Sequence, residues 1–201
     1  MRFGTASRHP LVIGALTLAL AAAAVAVEPF TLTSTTFRDG QAMPQRVSNT
    51  VASHNPVNPN CVGDNLSPQL SWTHAPEGTR SFALLLEEPE GRGGTGTHHF
   101  VAYGIAASAT AFAEGEFSRP SARFVGGKSS HDVGVYSGPC TAPGSGHHYV
   151  FVLIATDLDA KALPPGLTRE EFLARVVPDG GKSHALATTS LVGVFQNRNR
   201  N

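Results

Sequence analysis

The chain contains 201 residues, and its 15 basic and 15 acidic side chains give a formal charge of zero at pH 7. This balance excludes the basic excess that a nucleic-acid-binding surface needs, so no nucleic-acid partner is expected. Charged residues make up 15% of the chain, whereas Gly and Pro number 21 and 14, which is typical of a β-rich domain with many loops.

Residues 1–26 are predicted to be a cleavable secretory signal peptide. Arg2 and Arg8 provide a positive start, and no charged residue follows between positions 11 and 26. Residues 24–26 (Ala-Val-Ala) have the small-x-small pattern that signal peptidase recognises. The apolar run is shorter than the roughly 20 residues that span a bilayer. We therefore expect an exported protein, periplasmic or secreted, with no membrane span after cleavage; an uncleaved anchor is the alternative.

Removal of the signal leaves residues 27–201 as a single domain, which is long enough to bury one core. The signal carries two of the 15 basic residues and no acidic ones, so the remainder has a formal charge of −2. Cys61 and Cys140 are the two cysteines, and in an exported chain an even number favours a disulfide over free thiols. No cysteine lies near the cleavage site, which argues against a lipid anchor.

Strands dominate the predicted secondary structure. An alternating run at 30–34 predicts an edge strand, and the polar residues 41–62, rich in Asn and Pro, predict a loop. Short apolar runs predict four further strands, at residues 81–86, 100–105, 149–156 and 191–195.

Helices are predicted to be few and late. Thr168 and Glu171 form a capping box, and apolar residues at helical spacing follow until Pro178. Residues 183–189 are predicted to form a second short helix. The Gly-rich residues 91–96 have no helix after them, so we interpret them as a flexible loop and not as a phosphate cradle. These elements predict a β-sandwich or a β-rich α+β domain.

Histidines are the most informative chemical feature. Four of the nine form two adjacent pairs, 98–99 and 147–148, and each pair directly precedes a predicted strand. Adjacent side chains of a strand point to opposite faces, so at most one histidine of each pair faces a given pocket. Glu87, Glu88 and Glu90 lie at the end of the predicted strand at 81–86. One glutamate and two histidines would form a small polar pocket suited to an oxyanion.

Two other interpretations of these residues stay open from composition alone. The histidines are compatible with surface positions at loop–strand junctions, and with ligation of zinc by residues from separate strands. Adjacent histidines lack the i, i+4 spacing of helical zinc motifs, so no metal or other cofactor is assigned. The chain also has no G-x-S-x-G elbow, P-loop or dinucleotide-binding unit, so no catalytic residue is assigned and no enzyme is expected.

A series of short motifs extends from about residue 30 to residue 196. They are GDNLSPQLSW (63–72), PEGTRSF (76–82), EPE (88–90), HFV (99–101), YSGPC (136–140) and GHHYVF (146–151). In this order and spacing the series resembles the phosphatidylethanolamine-binding proteins, in the bacterial branch that includes the Raf kinase inhibitor-like proteins. The resemblance implies a mainly β fold, a β-sandwich of two packed antiparallel sheets with a few short peripheral helices.

The resemblance also implies a small anion pocket, in which the family binds phosphate-bearing head groups. Carried over by motif, the ligand-binding residues are Glu88, His99, Pro139, His147 and Tyr149, with Glu90 and Tyr136 nearby. On this basis His99 and His147 face the pocket, whereas His98 and His148 do not contribute to the same degree. The resemblance supports a Cys61–Cys140 disulfide as well.

The sequence departs from the family pattern near the expected pocket. The family's D-P-D-A-P is Glu-Pro-Glu-Gly-Arg at residues 88–92. Each glutamate reaches one methylene further than aspartate, which predicts a narrower pocket or a differently aimed carboxylate. Thr97 and His98 stand where the family has an aromatic residue, and Thr141 and Ala142 replace two prolines.

We therefore expect an exported, non-enzymatic binding protein for a small phosphorylated or anionic ligand. An inhibitor that contacts a protease or another enzyme is the alternative, because the family includes such inhibitors. A metal-dependent or acid–base hydrolase is the third candidate, and a homodimer is left open. The kinase-inhibiting role of cytosolic relatives is not transferred, because an exported chain has no access to that target.

Overall fold

The computed structural model describes residues 1, 4, 28–50, 60–144 and 146–197. Apart from Met1 and Gly4, the predicted signal peptide lies outside the described residues, and so does its cleavage site. In the part of the chain that is described, no helix has the length and apolar character needed to cross a membrane.

Within the described residues, nine strands form two sheets. In chain order they are β1 (Thr31–Thr33), β2 (Gln41–Ala42), β3 (Leu70–Thr73), β4 (Ser81–Glu88), β5 (Thr97–Ala106), β6 (Ala111–Phe112), β7 (Val125–Gly126), β8 (Gly146–Thr156) and β9 (Ala185–Gln196). One sheet has the order β1–β3–β6, and the other has the order β2–β9–β8–β4–β5–β7. Neighbouring strands are antiparallel except β2, which pairs parallel with β9. The architecture confirms the predicted mainly β fold.

Two helices accompany the sheets, α1 (Gly91–Gly94) and α2 (Arg169–Val176). The capping box of α2 forms as predicted: the Thr168 hydroxyl accepts a hydrogen bond from the Glu171 amide, and the Glu171 carboxylate accepts one from the Thr168 amide. α1 is a single turn within the segment that we predicted to be a flexible loop. A run of glycines allows this turn, because it requires left-handed backbone.

The prediction of a second helix at 183–189 is wrong. β9 begins at Ala185 and pairs with β8 along its whole length. Exposed residues alternate with half-buried ones from Ala185 to Ser190, which is the period of a strand. Thr188 and Thr189 are β-branched, and their stiff side chains favour a strand over a helix.

The predicted loop at 41–62 is only partly irregular. It contains β2 and a 3-10 turn at Gln45–Val47, while residues 51–59 lie outside the described residues. Near its end, Cys61 forms a disulfide with Cys140, which confirms the predicted pairing. The disulfide fastens this segment to the loop that precedes β8.

The six-stranded sheet is covered by apolar side chains on both faces. Leu84 and Leu86 of β4 belong to the cluster that also contains residues of the small sheet, such as Trp72. Leu85 belongs to a second cluster, which includes Phe172 of α2. Alternate residues of β4 therefore face two separate cores, as the period of a strand requires.

Three central strands continue beyond their apolar runs. Glu88 still pairs with Thr97, and the ladder between β8 and β9 reaches Gly146. The glutamates that end β4 and the histidine pairs that begin β5 and β8 therefore lie in the sheet itself. Because these neighbours are antiparallel, the end of β4 and the starts of β5 and β8 meet at the same edge.

Candidate functional site

A β-bulge in β5 determines which histidine of the first pair, 98–99, faces the core that lies between the two sheets, called the inner core below. Leu86 pairs with Phe100 and Glu87 pairs with His98, so His99 is an extra residue without a cross-strand partner. Such a bulge reverses the alternation of faces along a strand. Phe100 faces the inner core, and without the bulge His98 would share its face. With the bulge, His99 takes that face instead.

Glu88 lies at the centre of the site. Its Oε2 is 2.9 Å from Nε2 of His99, and its Oε1 accepts a 3.1 Å hydrogen bond from the Tyr149 hydroxyl. Nδ1 of His147 also hydrogen-bonds with Oε1. Glu88, His99 and Tyr149 are 7%, 3% and 0% exposed, so this network is shielded from bulk water. The two strands that flank β4, namely β5 and β8, thus direct hydrogen-bond donors at one carboxylate of β4.

The contacts of the two ring nitrogens of His99 indicate how many protons the His99–Glu88 pair holds. Its Nδ1 is 2.9 Å from the carbonyl oxygen of Ser137, and its Nε2 faces Glu88. A neutral imidazole has only one N–H, yet both ring nitrogens here face oxygen acceptors. The His99–Glu88 pair therefore holds one proton more than a neutral histidine beside a carboxylate, and its net charge is zero.

The environment of Glu88 favours its ionised form. Burial by itself raises the pKa of the carboxyl, but hydrogen bonds with His99, His147 and Tyr149 and the charge of His99 outweigh that effect. The net pKa of Glu88 lies below its usual value, so the carboxyl is ionised at neutral pH. Burial and the adjacent Glu88 raise the pKa of Tyr149, which keeps the phenol protonated as a donor.

An open pocket of about 300 Å³ lies over this network. Four residues of the predicted site line it: Glu88, Glu90, His99 and His147. The Cys61–Cys140 disulfide also forms part of the wall. The lining includes residues that the sequence analysis did not assign to the site, namely Asn49, Gly91, Arg92, Gly93, Thr97, His131, Thr141 and Ala142. Arg92, Thr97, Thr141 and Ala142 are visible in the sequence as departures from the family pattern, whereas Asn49 and His131 carry no signal there.

Three predicted site residues do not line the pocket: Tyr149 lies in the network beneath it, and Tyr136 and Pro139 lie behind it. The hydroxyl of Tyr136 donates to the carbonyl of Val47 at 2.9 Å, and burial raises the pKa of this phenol. The carbonyl of Pro139 accepts a 2.8 Å hydrogen bond from the amide of Asn49. Both residues hold the loop that supplies the Ser137 carbonyl to His99.

The second member of each histidine pair has a different carboxylate partner. Nδ1 of His148 is 2.6 Å from Glu90, and this pair is exposed. His98 hydrogen-bonds with Glu87, which also accepts a 2.8 Å hydrogen bond from Arg169 of α2. His98 and Glu87 therefore lie on the face of the sheet that carries the helix, away from the pocket.

Comparisons with known proteins agree with the fold. A family model described as phosphatidylethanolamine-binding protein matches residues 33–196. A UPF0098 protein of Aquifex aeolicus is 33% identical over 68% of this chain and 77% of its own length. LppC of Mycobacterium tuberculosis, which is named as a lipoprotein, is 32% identical over 93% of this chain and 82% of its own length.

Solved structures show the same architecture. The crystal structure of Escherichia coli YbcL, described as a member of the mammalian PEBP family, matches with a TM-score of 0.69 at 23% identity. The match covers 83% of this chain and 98% of that one. A phosphatidylethanolamine-binding protein homologue of Chlamydia trachomatis matches with a TM-score of 0.66 at 27% identity, over 83% and 97% of the two chains.

Proposed function

The chain belongs to the phosphatidylethanolamine-binding protein family, and we propose that it is an exported, non-enzymatic binding protein for a small phosphorylated or other anionic ligand. The observation that carries this proposal is the convergence of His99, His147 and Tyr149 on one carboxylate at the floor of an open pocket. These donors engage the Glu88 carboxylate, so the site is already built to stabilise one oxyanion, and the proposal extends this property to a ligand above it.

His147 is the residue through which the floor is accessible. Its side chain is 21% exposed, whereas that of His99 is 4% exposed. A ligand that enters the pocket therefore meets His147 first, above the neutral His99–Glu88 pair. Imidazolium groups attract anions, and histidines change charge between about pH 5 and pH 8. Ligand affinity should consequently fall as the pH rises.

Binding fits the site better than catalysis. The two cysteines form a disulfide, so neither supplies a thiolate nucleophile. Three donors engage the Glu88 carboxylate, which leaves it poorly suited to accept a substrate proton as a general base. The name of the LppC relative supports the proposed export of this chain, to the periplasm or outside the cell.

Calorimetric titration with phosphorylethanolamine and with inorganic phosphate, at about pH 5.5 and about pH 8, tests the proposal. We expect binding at the lower pH and weaker binding at the higher one, because loss of imidazolium protons leaves the Glu88 charge uncompensated. Equal affinity at both values would contradict the role of the histidines, and no binding at either would contradict the function.

A matched pair of variants localises the site. His147→Ala should weaken binding about tenfold, since it removes a charge-assisted donor. His148→Ala is the control, because its ring pairs with exposed Glu90 and its side chain is not part of the pocket lining. Equal losses in both variants would show that general histidine charge, and not the pocket, attracts the ligand.

A further inference from the structure

Apart from His147, the floor of the pocket supplies little net charge to a ligand. The His99–Glu88 pair is neutral, and Glu90 is paired with His148. Arg92 lines the same pocket, and its guanidinium forms no hydrogen bond or ion pair with any residue that the structure describes. Arg92 is also an exposed side chain, so its charge is available at the pocket mouth.

The backbone of Arg92 is unfavourable for arginine. It has φ 51° and ψ 42°, in the left-handed region that side chains with a Cβ rarely adopt. Its chain neighbours Gly91, Gly93 and Gly94 are glycines, the residue that such a turn prefers. Folding alone would favour glycine at position 92 too. An arginine in a strained conformation that lines a pocket points to a role in that pocket.

Thr97, the first residue of β5, gives a second and independent indication that a ligand binds in this pocket. It is only 7% exposed, lines the pocket and pairs with Glu88 across the β4–β5 ladder. Within the described ranges of the chain, no residue hydrogen-bonds with its hydroxyl. The hydroxyl oxygen is not among the fully buried atoms that lack a partner, so it is accessible from the pocket. A hydroxyl that borders a pocket without a protein partner is available to a ligand.

We propose that Arg92 and Thr97 form an anion-binding subsite at the wall of the pocket, separate from the Glu88 floor, for one phosphoryl or carboxylate group of the ligand. The guanidinium supplies charge and a fork of N–H donors, and the threonine hydroxyl adds a single donor. This subsite rests on the proposed function, because it places the anion in the same pocket. It also gives a role to Arg92, which stands where the family pattern has its second proline.

Calorimetric titration of the purified protein with inorganic phosphate and with phosphorylethanolamine separates the two proposals. We expect Arg92→Gln to weaken both ligands about tenfold or more. Arg119→Gln is the matched control, because Arg119 is exposed and does not line the pocket. Thr97→Val, which keeps the shape of the side chain, should weaken binding by about threefold to tenfold.

The possible outcomes distinguish failure of the Arg92–Thr97 subsite from failure of the proposed binding function. Binding by the wild type that Arg92→Gln leaves unchanged, while His147→Ala weakens it, would overturn the subsite and keep the function. Equal losses in Arg92→Gln and Arg119→Gln would reduce the role of Arg92 to general charge and also overturn the subsite. Absence of binding in the wild type would overturn both proposals.

The variant Arg92→Gly distinguishes a role in ligand binding from a merely structural role, because its stability and its phosphate affinity should change in opposite directions. Glycine relieves the left-handed strain, so the melting temperature should rise by roughly 2–4 °C while phosphate affinity falls as in Arg92→Gln. Arg92→Lys should retain part of the affinity, because it keeps the charge but not the fork. A variant Arg92→Gly that is more stable and binds phosphate as well as the wild type would contradict the subsite.

Discussion

Two glutamate–histidine pairs, adjacent in sequence, lie on opposite faces of one sheet and have different properties. Glu88 and His99 are buried at the pocket floor, with every donor and acceptor engaged. Glu87 and His98 are partly exposed on the helix-bearing face, and Arg169 joins them. The same residue types thus form a shielded network beneath a pocket on one face and a partly exposed network on the other. Burial and a single bulge cause the difference.

The largest expected difference between the pairs is in stability. Glu88→Ala leaves His99 without its carboxylate in a buried position and should lower the free energy of unfolding by about 3–5 kcal/mol. Glu87→Ala, on the solvent-screened face, should cost less than about 1 kcal/mol. Denaturant titration of both variants measures the contrast. Losses of similar size would show that burial does not distinguish the two pairs.

The buried pair should also govern part of the acid response. The Glu88 pKa is lower in the folded protein than its usual value of 4.5, so its stabilising contribution is complete above that value. It is lost as the pH falls through the folded-state pKa, because the protonated carboxyl no longer accepts these hydrogen bonds. The melting temperature should therefore fall less steeply for Glu88→Gln than for the wild type as the pH is lowered from about 6 to about 3. Parallel curves would refute this.

The bulge in β5 places His99, and not His98, on the pocket face, so substitutions at these two adjacent positions should differ sharply in their effect on ligand binding. His99→Gln keeps a side chain that reaches towards Glu88 but cannot carry the proton, so phosphate affinity at about pH 5.5 should fall about tenfold. His98→Gln, one residue away on the other face, should bind as the wild type does. Calorimetry decides between them, and a larger loss in His98→Gln would mean that the faces are assigned the wrong way round.

The smallest effect is expected where α2 meets the outer pair. Arg169→Ala removes the 2.8 Å contact with Glu87, which is partly exposed, and should lower stability by about 0.5 kcal/mol. Phosphate affinity should not change, since Arg169 lies across the sheet from the pocket. A loss of affinity in this variant would show that the two faces are coupled.

The sequence was sufficient to predict most of the fold but only part of the site. The apolar runs and the capping box at Thr168 are local signals, and both correspond to observed elements. The strand that begins at Ala185 was mistaken for a helix, because its polar face and small residues give no clear period. Its pairing with β8 is a tertiary effect that a local pattern does not contain.

The site shows the same limit in finer detail. The Glu and His residues are recognisable by type and by family motif, yet the choice between His98 and His99 depends on a bulge that alternation alone would assign in the opposite way. The lining by Asn49 and His131 comes from distant loops. Tyr136 and Pro139 match the motif but support the pocket from behind.

The most direct measurement is a crystal structure of the protein soaked with phosphorylethanolamine. We expect phosphoryl density in the pocket above Glu88, within hydrogen-bond distance of Arg92, Thr97 and His147. Density confined to the opposite face beside Glu87 and His98, or an empty pocket at saturating ligand, would contradict it.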